Sequence, residues 1–120
     1  MDIATVMGIL VFVVQPIGPE MDCPVLCDPT GTPLTELKIR AFHVREEHRG
    51  QGIGTALQRE ALREAGRFGC YQVRSRSDFS RAANYAIKLK LGFAAHPGLR
   101  RLRDQDEPGI YWVKAVSCGE

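Results

Sequence analysis

Arg49-Gly50-Gln51-Gly52-Ile53-Gly54 lies between an alternating extended run and a stretch of helical periodicity, and that position decides the fold. Glycines let the backbone turn tightly and approach a ligand closely, while the first amides of a following helix have no partners within it. Those N–H groups and the positive end of the helix dipole suit an anion such as a pyrophosphate. The turn is therefore a candidate phosphate cradle.

Upstream, Leu34 to Val44 alternates, with Leu37, Ile39, Ala41 and His43 on one face and Glu36, Lys38, Arg40, Phe42 and Val44 on the other. This predicts a strand running into the turn. Downstream, Ile53, Ala56, Leu57, Ala61 and Leu62 recur at helical spacing until Gly66 and Gly69. Cys70 to Arg76 reads as a strand, and Asp78 or Ser80 as the N-cap of a helix through Leu91. In that helix Ala82, Ala86 and Leu89 form one apolar line and Ala83, Ile87 and Leu91 a second. Gly92 ends it, Phe93 begins a short extended piece, and a polar loop from His96 to Pro108 leads to a last strand, Gly109 to Val116. Before the turn, Thr5 to Gln15 is a strand closed at Pro16, and Asp22 to Asp28 a shorter one. The order is an α/β (α+β) pattern: a mixed sheet with two main helices, its long strand and Cys70 strand parallel across a right-handed crossover.

At 120 residues the chain has room for one domain with a core. With 44% hydrophobic and 25% charged residues it is expected to be globular. The net charge of +2 hides a local excess, since Gln72 to Arg103 holds Arg74, Arg76, Arg81, Lys88, Lys90, Arg100, Arg101 and Arg103 against only Asp78. That region suits an anionic ligand or a solvated face. The apolar run Val6 to Val14 follows Asp2 rather than Lys or Arg and is too short to span a bilayer, so a cytoplasmic protein away from membranes is expected. Cys23, Cys27, Cys70 and Cys118 show no Cys-x-x-Cys spacing, which predicts reduced structural cysteines and no metal site.

Val44 followed four residues later by Arg49-Gly50-Gln51-Gly52-Ile53-Gly54 and an amphipathic helix resembles the acyl-CoA signature of the GNAT acetyltransferase superfamily, Gln/Arg-x-x-Gly-x-Gly/Ala. Lys90-Leu91-Gly92-Phe93, closing the second helix, resembles that family's other common mark. The resemblance covers Leu34 to Val116 and implies a GNAT-like, mostly antiparallel twisted sheet that binds acetyl-CoA as co-substrate. It implies that backbone amides from Gln51 to Thr55 hold the pyrophosphate, with Arg49 at the mouth. The pantetheine arm would lie along Phe42, His43 and Val44. The implied reaction is acetyl transfer to a primary amine, of a small molecule or a peptide, by direct attack on the thioester.

The chain also departs from the family pattern. The family's tyrosine acid, five residues before the Phe of Leu-Gly-Phe, is replaced by Lys88, and Tyr85 lies one turn earlier. Lys88 and Tyr85 are both candidate acids, set against a solvated lysine and a packing tyrosine. Glu36 is the candidate base. The commoner outcome is a surface carboxylate for Glu36 and a partly buried, hydrogen-bonded imidazole for His43. Only five residues precede Val6, where family members carry a strand and two helices: either this is a reduced member or another chain supplies the missing wall, and a homodimer is expected. A non-catalytic acyl-CoA-binding module is the alternative. Nucleic-acid binding ranks last, for want of a binding motif or an aromatic row.

Overall fold

The alternating run before the glycine turn forms strand β2, Thr35–Val44, and the Val- and Ile-rich run before it forms β1, Gly8–Pro16. The computed structural model describes residues 6–80 and 82–116. After the turn come helix α1 (Ile53–Arg67), β3 (Gln72–Ser77), α2 (Ala82–Lys90), β4 (Ala94–Leu102) and β5 (Gln105–Ala115). The sheet order is β1-β2-β3-β5-β4, with β2 and β3 parallel and all other neighbours antiparallel. Both helices lie on one face, over a core that includes Leu37, Ile39, Ala61, Ala65, Val73, Phe93 and Trp112. The mixed sheet with two helices is thus the observed fold.

A bulge interrupts the alternation of β2. Val11 pairs with Ala41 but Phe12 pairs with Ile39, so Arg40 has no partner on β1. One extra residue reverses which parity faces the helices. Leu37 and Ile39 face inward before it; Phe42 and Val44 do so after it, close enough to meet a Cβ on Gly54 at 3.1 and 3.6 Å. Glu36 and His43, expected on opposite faces, therefore share the face away from the helices.

The expected strand at Asp22–Asp28 does not form; its one sheet-like contact is a bridge between Cys27 and Pro33. A 3-10 turn at Pro19–Met21 precedes it, Pro24 has no amide to give a ladder, and Asp28 Oδ1 accepts from the Thr30 and Thr32 amides to close a turn instead (2.8 and 3.0 Å). The expected loop from His96 to Pro108 is a hairpin of β4 and β5, turning at Arg103 and Asp104, both with positive φ (51° and 65°) as a two-residue type I′ turn requires. Helix α1 runs through Gly66 and closes at Gly69. The N-cap expected before α2 cannot be assigned, because position 81 lies outside the described residues. Cys118 lies outside them as well.

Two half-sheets meet at the β2/β3 ladder, where Glu36 faces Gln72, Leu37 faces Val73 and Lys38 faces Arg74. Glu36 is not a surface carboxylate: it is 1% exposed and spans this junction. Arg74 Nε and Nη2 each donate to it at 3.0 Å, and Gln15 and Gln72 at 2.9 Å. Burial alone would raise its pKa, but these donors and the Arg74 charge prevail and hold the carboxyl below its ordinary range. A carboxylate whose folded pKa is depressed lends stability above the ordinary carboxylate pKa and loses it as pH falls through the folded value. Glu36→Gln leaves Arg74 buried with only the more exposed Glu20 as counter-charge, and denaturant unfolding at pH 7 should show a loss of about 3 kcal/mol. The gap between wild type and variant should close as pH falls through the folded value of Glu36.

Candidate active site

Val44 hands the chain to a 3-10 turn at Glu46–His48, and Arg49 Nε then donates back to the Val44 carbonyl at 3.1 Å. Gly50 and Gly52 both have φ of 81°, a conformation that L side chains rarely adopt, with open space where a Cβ would point. Gly52 caps α1 with no side-chain hydrogen bond, and the first turn of the helix carries no acidic residue. Its leading amides therefore face a groove of about 560 Å3. Gly54 serves close packing instead. A Cβ there would sit 3.1 Å from Phe42 Cζ and from Ile87 Cδ1, so its absence lets α1 close on β2 and α2. Phe42, His43, Val44, Arg49, Gly50, Gly52, Ile53, Gly54 and Thr55 all line this groove, while Gln51 is exposed beside it. His43 is exposed at the rim, not partly buried as its type suggested.

Beyond Lys38 and Arg74 the two parallel strands part, β2 following β1 and β3 following β5. The wedge between them is a second cavity of about 420 Å3, bounded by Arg40–His43 and Ser75–Asp78 with Gln58 and Lys88 behind. It shares Phe42, His43 and Asn84 with the groove, so the two form one continuous channel.

Lys88 is the polar end of that channel, and it is not solvated. It is 4% exposed, its Nζ donates to Gln58 Oε1 at 3.0 Å, and it lies 4.4 Å from the centre of the Phe93 ring. The reason is the end of α2. The Phe93 amide bonds the Lys88 carbonyl and the Gly92 amide the Leu89 carbonyl, a Schellman closure with Gly92 at φ 85°. That closure turns Phe93 back onto the side chain one turn before the helix end. Burial pushes the Lys88 amine down to about 7. The helix thus packs through Asn84, Tyr85, Ile87 and Lys88, whereas Ala82, Ala86 and Leu89, read as an apolar line, face solvent.

The other candidates lie elsewhere. Glu36 is on the far side of the sheet, committed to Arg74. The Tyr85 hydroxyl donates to the carbonyls of Asp78 (3.1 Å) and Phe79 (2.8 Å), and its ring packs 5.4 Å from Trp112, fastening the β3–α2 connection. Much of the basic excess is likewise structural: Arg74 serves Glu36 and Glu20, Arg100 pairs with Glu107, and Arg76 donates to the Glu107 and Pro108 carbonyls. Sequence reasoning missed Gln58, which is 1% exposed. Its signal was a polar residue four after Gly54 and three before Ala61, on the buried line of α1. Among the described residues no group of His, Cys, Asp or Glu could hold a metal ion, and no helix is long and apolar enough to cross a membrane.

The family model described as the acetyltransferase (GNAT) family matches residues 9–93. Arabidopsis thaliana NAA60 in complex with acetyl-CoA has the same fold, with a TM-score of 0.74 at 16% identity over 92% of this chain and 65% of that one. NAA60 in complex with a bisubstrate analogue gives 0.71 at 16%, over 91% and 64%. The ribosomal-protein-S18-alanine N-acetyltransferase of Escherichia coli gives 0.58 at 25%, over 71% and 57%. The chain spans less than two thirds of the length of each of these structures. Comparison with curated proteins found no match.

The burial of Lys88 has a thermodynamic signature. Unfolded, the amine titrates near 10.5; folded, near 7. Between those values the unfolded chain holds the extra proton, so this group makes stability rise with pH across that window. Replacing it in Lys88→Met should flatten the slope of melting temperature against pH from 7 to 10. Equal slopes in wild type and variant would contradict a buried amine.

Proposed function

The chain belongs to the acetyltransferase (GNAT) family, and from that premise we propose that it transfers an acetyl group from acetyl-CoA to a primary amine by direct attack on the thioester. One observation carries the reading: the channel that begins at the uncapped N-terminus of α1 continues between β2 and β3 and ends at a buried amine. The residues fit the donor. Amides of Ile53, Gly54 and Thr55 suit a pyrophosphate, and the conformation of Gly50 and Gly52 keeps side chains out of its way. Past Lys38, the edge of β2 that faces the wedge is unpaired, so its backbone groups can pair with an extended pantetheine arm as an added strand.

Acetyl-CoA supplies an acyl group already activated as a thioester. This chain supplies position and protons. The acceptor nitrogen bonds to the carbonyl carbon, the carbon–sulfur bond breaks, and Lys88 gives its proton to the departing sulfur. The proton lost by the amine passes to water at the open rim, where His43 and Asp78 line the wedge, and Lys88 is recharged from the same water. An acid with a pKa near the working pH serves such a transfer well. Lys88 is charged below about 7, so the contribution of this acid falls as pH rises through that value. Glu36 and Tyr85 are engaged in packing and are given no part. The acceptor in this reading is the amine of a small molecule or a peptide. We extend the proposal to a homodimer formed along β1, an edge strand with Ile9, Val11 and Val14 exposed.

Calorimetric titration with acetyl-CoA should give a binding constant weakened about tenfold or more by Gly52→Asp, which adds strain and negative charge at the cradle. Unchanged affinity would overturn the assignment. In a thiol-release assay over a panel of amines, Lys88→Met should retain acetyl-CoA affinity and lose about tenfold or more in turnover. A wild-type protein that binds acetyl-CoA but releases no thiol with any amine would instead be a non-catalytic acyl-CoA-binding module. Light scattering should give a mass twice that of the chain; a monomer at all concentrations would refute the dimer.

A further inference from the structure

Gln58 is an expensive residue to bury where it lies. It occupies the inward line of α1 between Gly54 and Ala61 and is 1% exposed. Its Oε1 is accounted for, accepting from Lys88 Nζ at 3.0 Å. Its Nε2 is buried with no partner. While Lys88 is charged the amide orientation follows from chemistry, because an ammonium only donates and so requires the oxygen of Gln58 to face it. Among the described residues the other such atom is Arg76 Nε, which is closed off against Gly109: a Cβ there would come within 2.8 Å of it. Both residues line the wedge, but the Arg76 guanidinium also spends its Nη2 on the Glu107 and Pro108 carbonyls.

The groups around Lys88 leave Gln58 as its polar anchor. The wedge presents Arg40 and His43 from β2, Arg76 from β3, Asp78 just after it and Asn84 from α2. Phe93 offers only the face of its ring. Among the described residues the Lys88 ammonium donates no hydrogen bond to a carboxylate, so the Gln58 oxygen fixes where it points. Lys88 and Gln58 both line this one cavity and both carry N–H donors, and the ligand atom that suits such donors is an acceptor oxygen. A thioester carbonyl is such an oxygen, and it gains negative charge as the amine attacks.

We propose that Gln58 is a positioning residue for Lys88 and that its free side-chain N–H binds the carbonyl oxygen of the acyl group. This rests on the acyl-transfer reading above, and two separate measurements keep the failures apart.

The first needs no substrate. In protein labelled with 13C at lysine Cε, the Lys88 resonance is followed against pH in wild type, Gln58→Met and Gln58→Glu. A nearby carboxylate favours the ammonium and loss of the oxygen disfavours it, so the midpoint should move up by about one unit in Gln58→Glu and down by about one unit in Gln58→Met. Midpoints that stay together while circular dichroism shows all three folded would overturn the positioning role. Should Gln58→Glu fail to fold, the downward shift in Gln58→Met, which keeps the side-chain volume, decides alone.

The second measurement compares acetyl-CoA with CoA, which lacks the carbonyl. Wild type should favour acetyl-CoA, and Gln58→Met should lose about fivefold of that preference while its CoA affinity holds. An unchanged preference would overturn the carbonyl contact. If wild type binds neither compound, the acyl-transfer reading fails together with the carbonyl contact, and the titration still judges the positioning of Lys88.

Discussion

The Glu36–Arg74 pair fastens the molecule at its narrowest join. Two antiparallel half-sheets, β1 with β2 and β3 with β5 and β4, meet along a short parallel ladder. Glu36 and Arg74 come from either side of it and satisfy one another through two 3.0 Å hydrogen bonds. A buried ion pair is worth little net when compared with an apolar replacement, yet removing one partner is costly because the other charge stays behind. Gln15 and Gln72 take up further lone pairs of the carboxylate, which is what lets the pair survive away from water. With that join fixed, the strands are free to diverge beyond it, and their divergence makes the cavity that the chemistry needs.

The same economy of parts shapes the cavity's polar wall. The Lys88 amine is held by one side-chain oxygen and one aromatic face, with no carboxylate hydrogen-bonded to it among the described residues. Full ionic pairing would have kept it permanently charged. Burial without pairing leaves it able to gain and lose a proton near neutrality, which is a property of its surroundings and not of lysine as such. Those surroundings come from the Gly92 closure of α2, which folds Phe93 back over the side chain. The Leu91-Gly92-Phe93 stretch is therefore a helix stop and, at once, the lid of a proton site.

Most of the frame was legible in the sequence because it rests on periodicity and on glycine. The strand into the turn, the helix after it and the Gly92 stop all follow from local pattern. The misreadings each have a physical source. The β4–β5 hairpin lies largely exposed at its tip, so neither face imposes an apolar alternation and its residues read as a loop. The strand expected near Cys23 lost to proline and to the Asp28 turn. Lys88 was set against a solvated lysine by residue type and Gln58 was passed over; only the facing helix shows that each has the other as its partner inside. Glu36 went the same way, since Arg74 lies thirty-eight positions further along the chain.

The extra residue at Arg40 acts within β2 as a frameshift does within a gene. Before it the apolar frame is odd, at Leu37 and Ile39; after it the frame is even, at Phe42 and Val44. A comparison of this strand with one that lacks the extra residue, allowing no gap at that position, will match solvent-facing residues on one side of the site to core residues on the other. Half of any inherited functional assignment in the strand would then fall on the wrong face of the sheet.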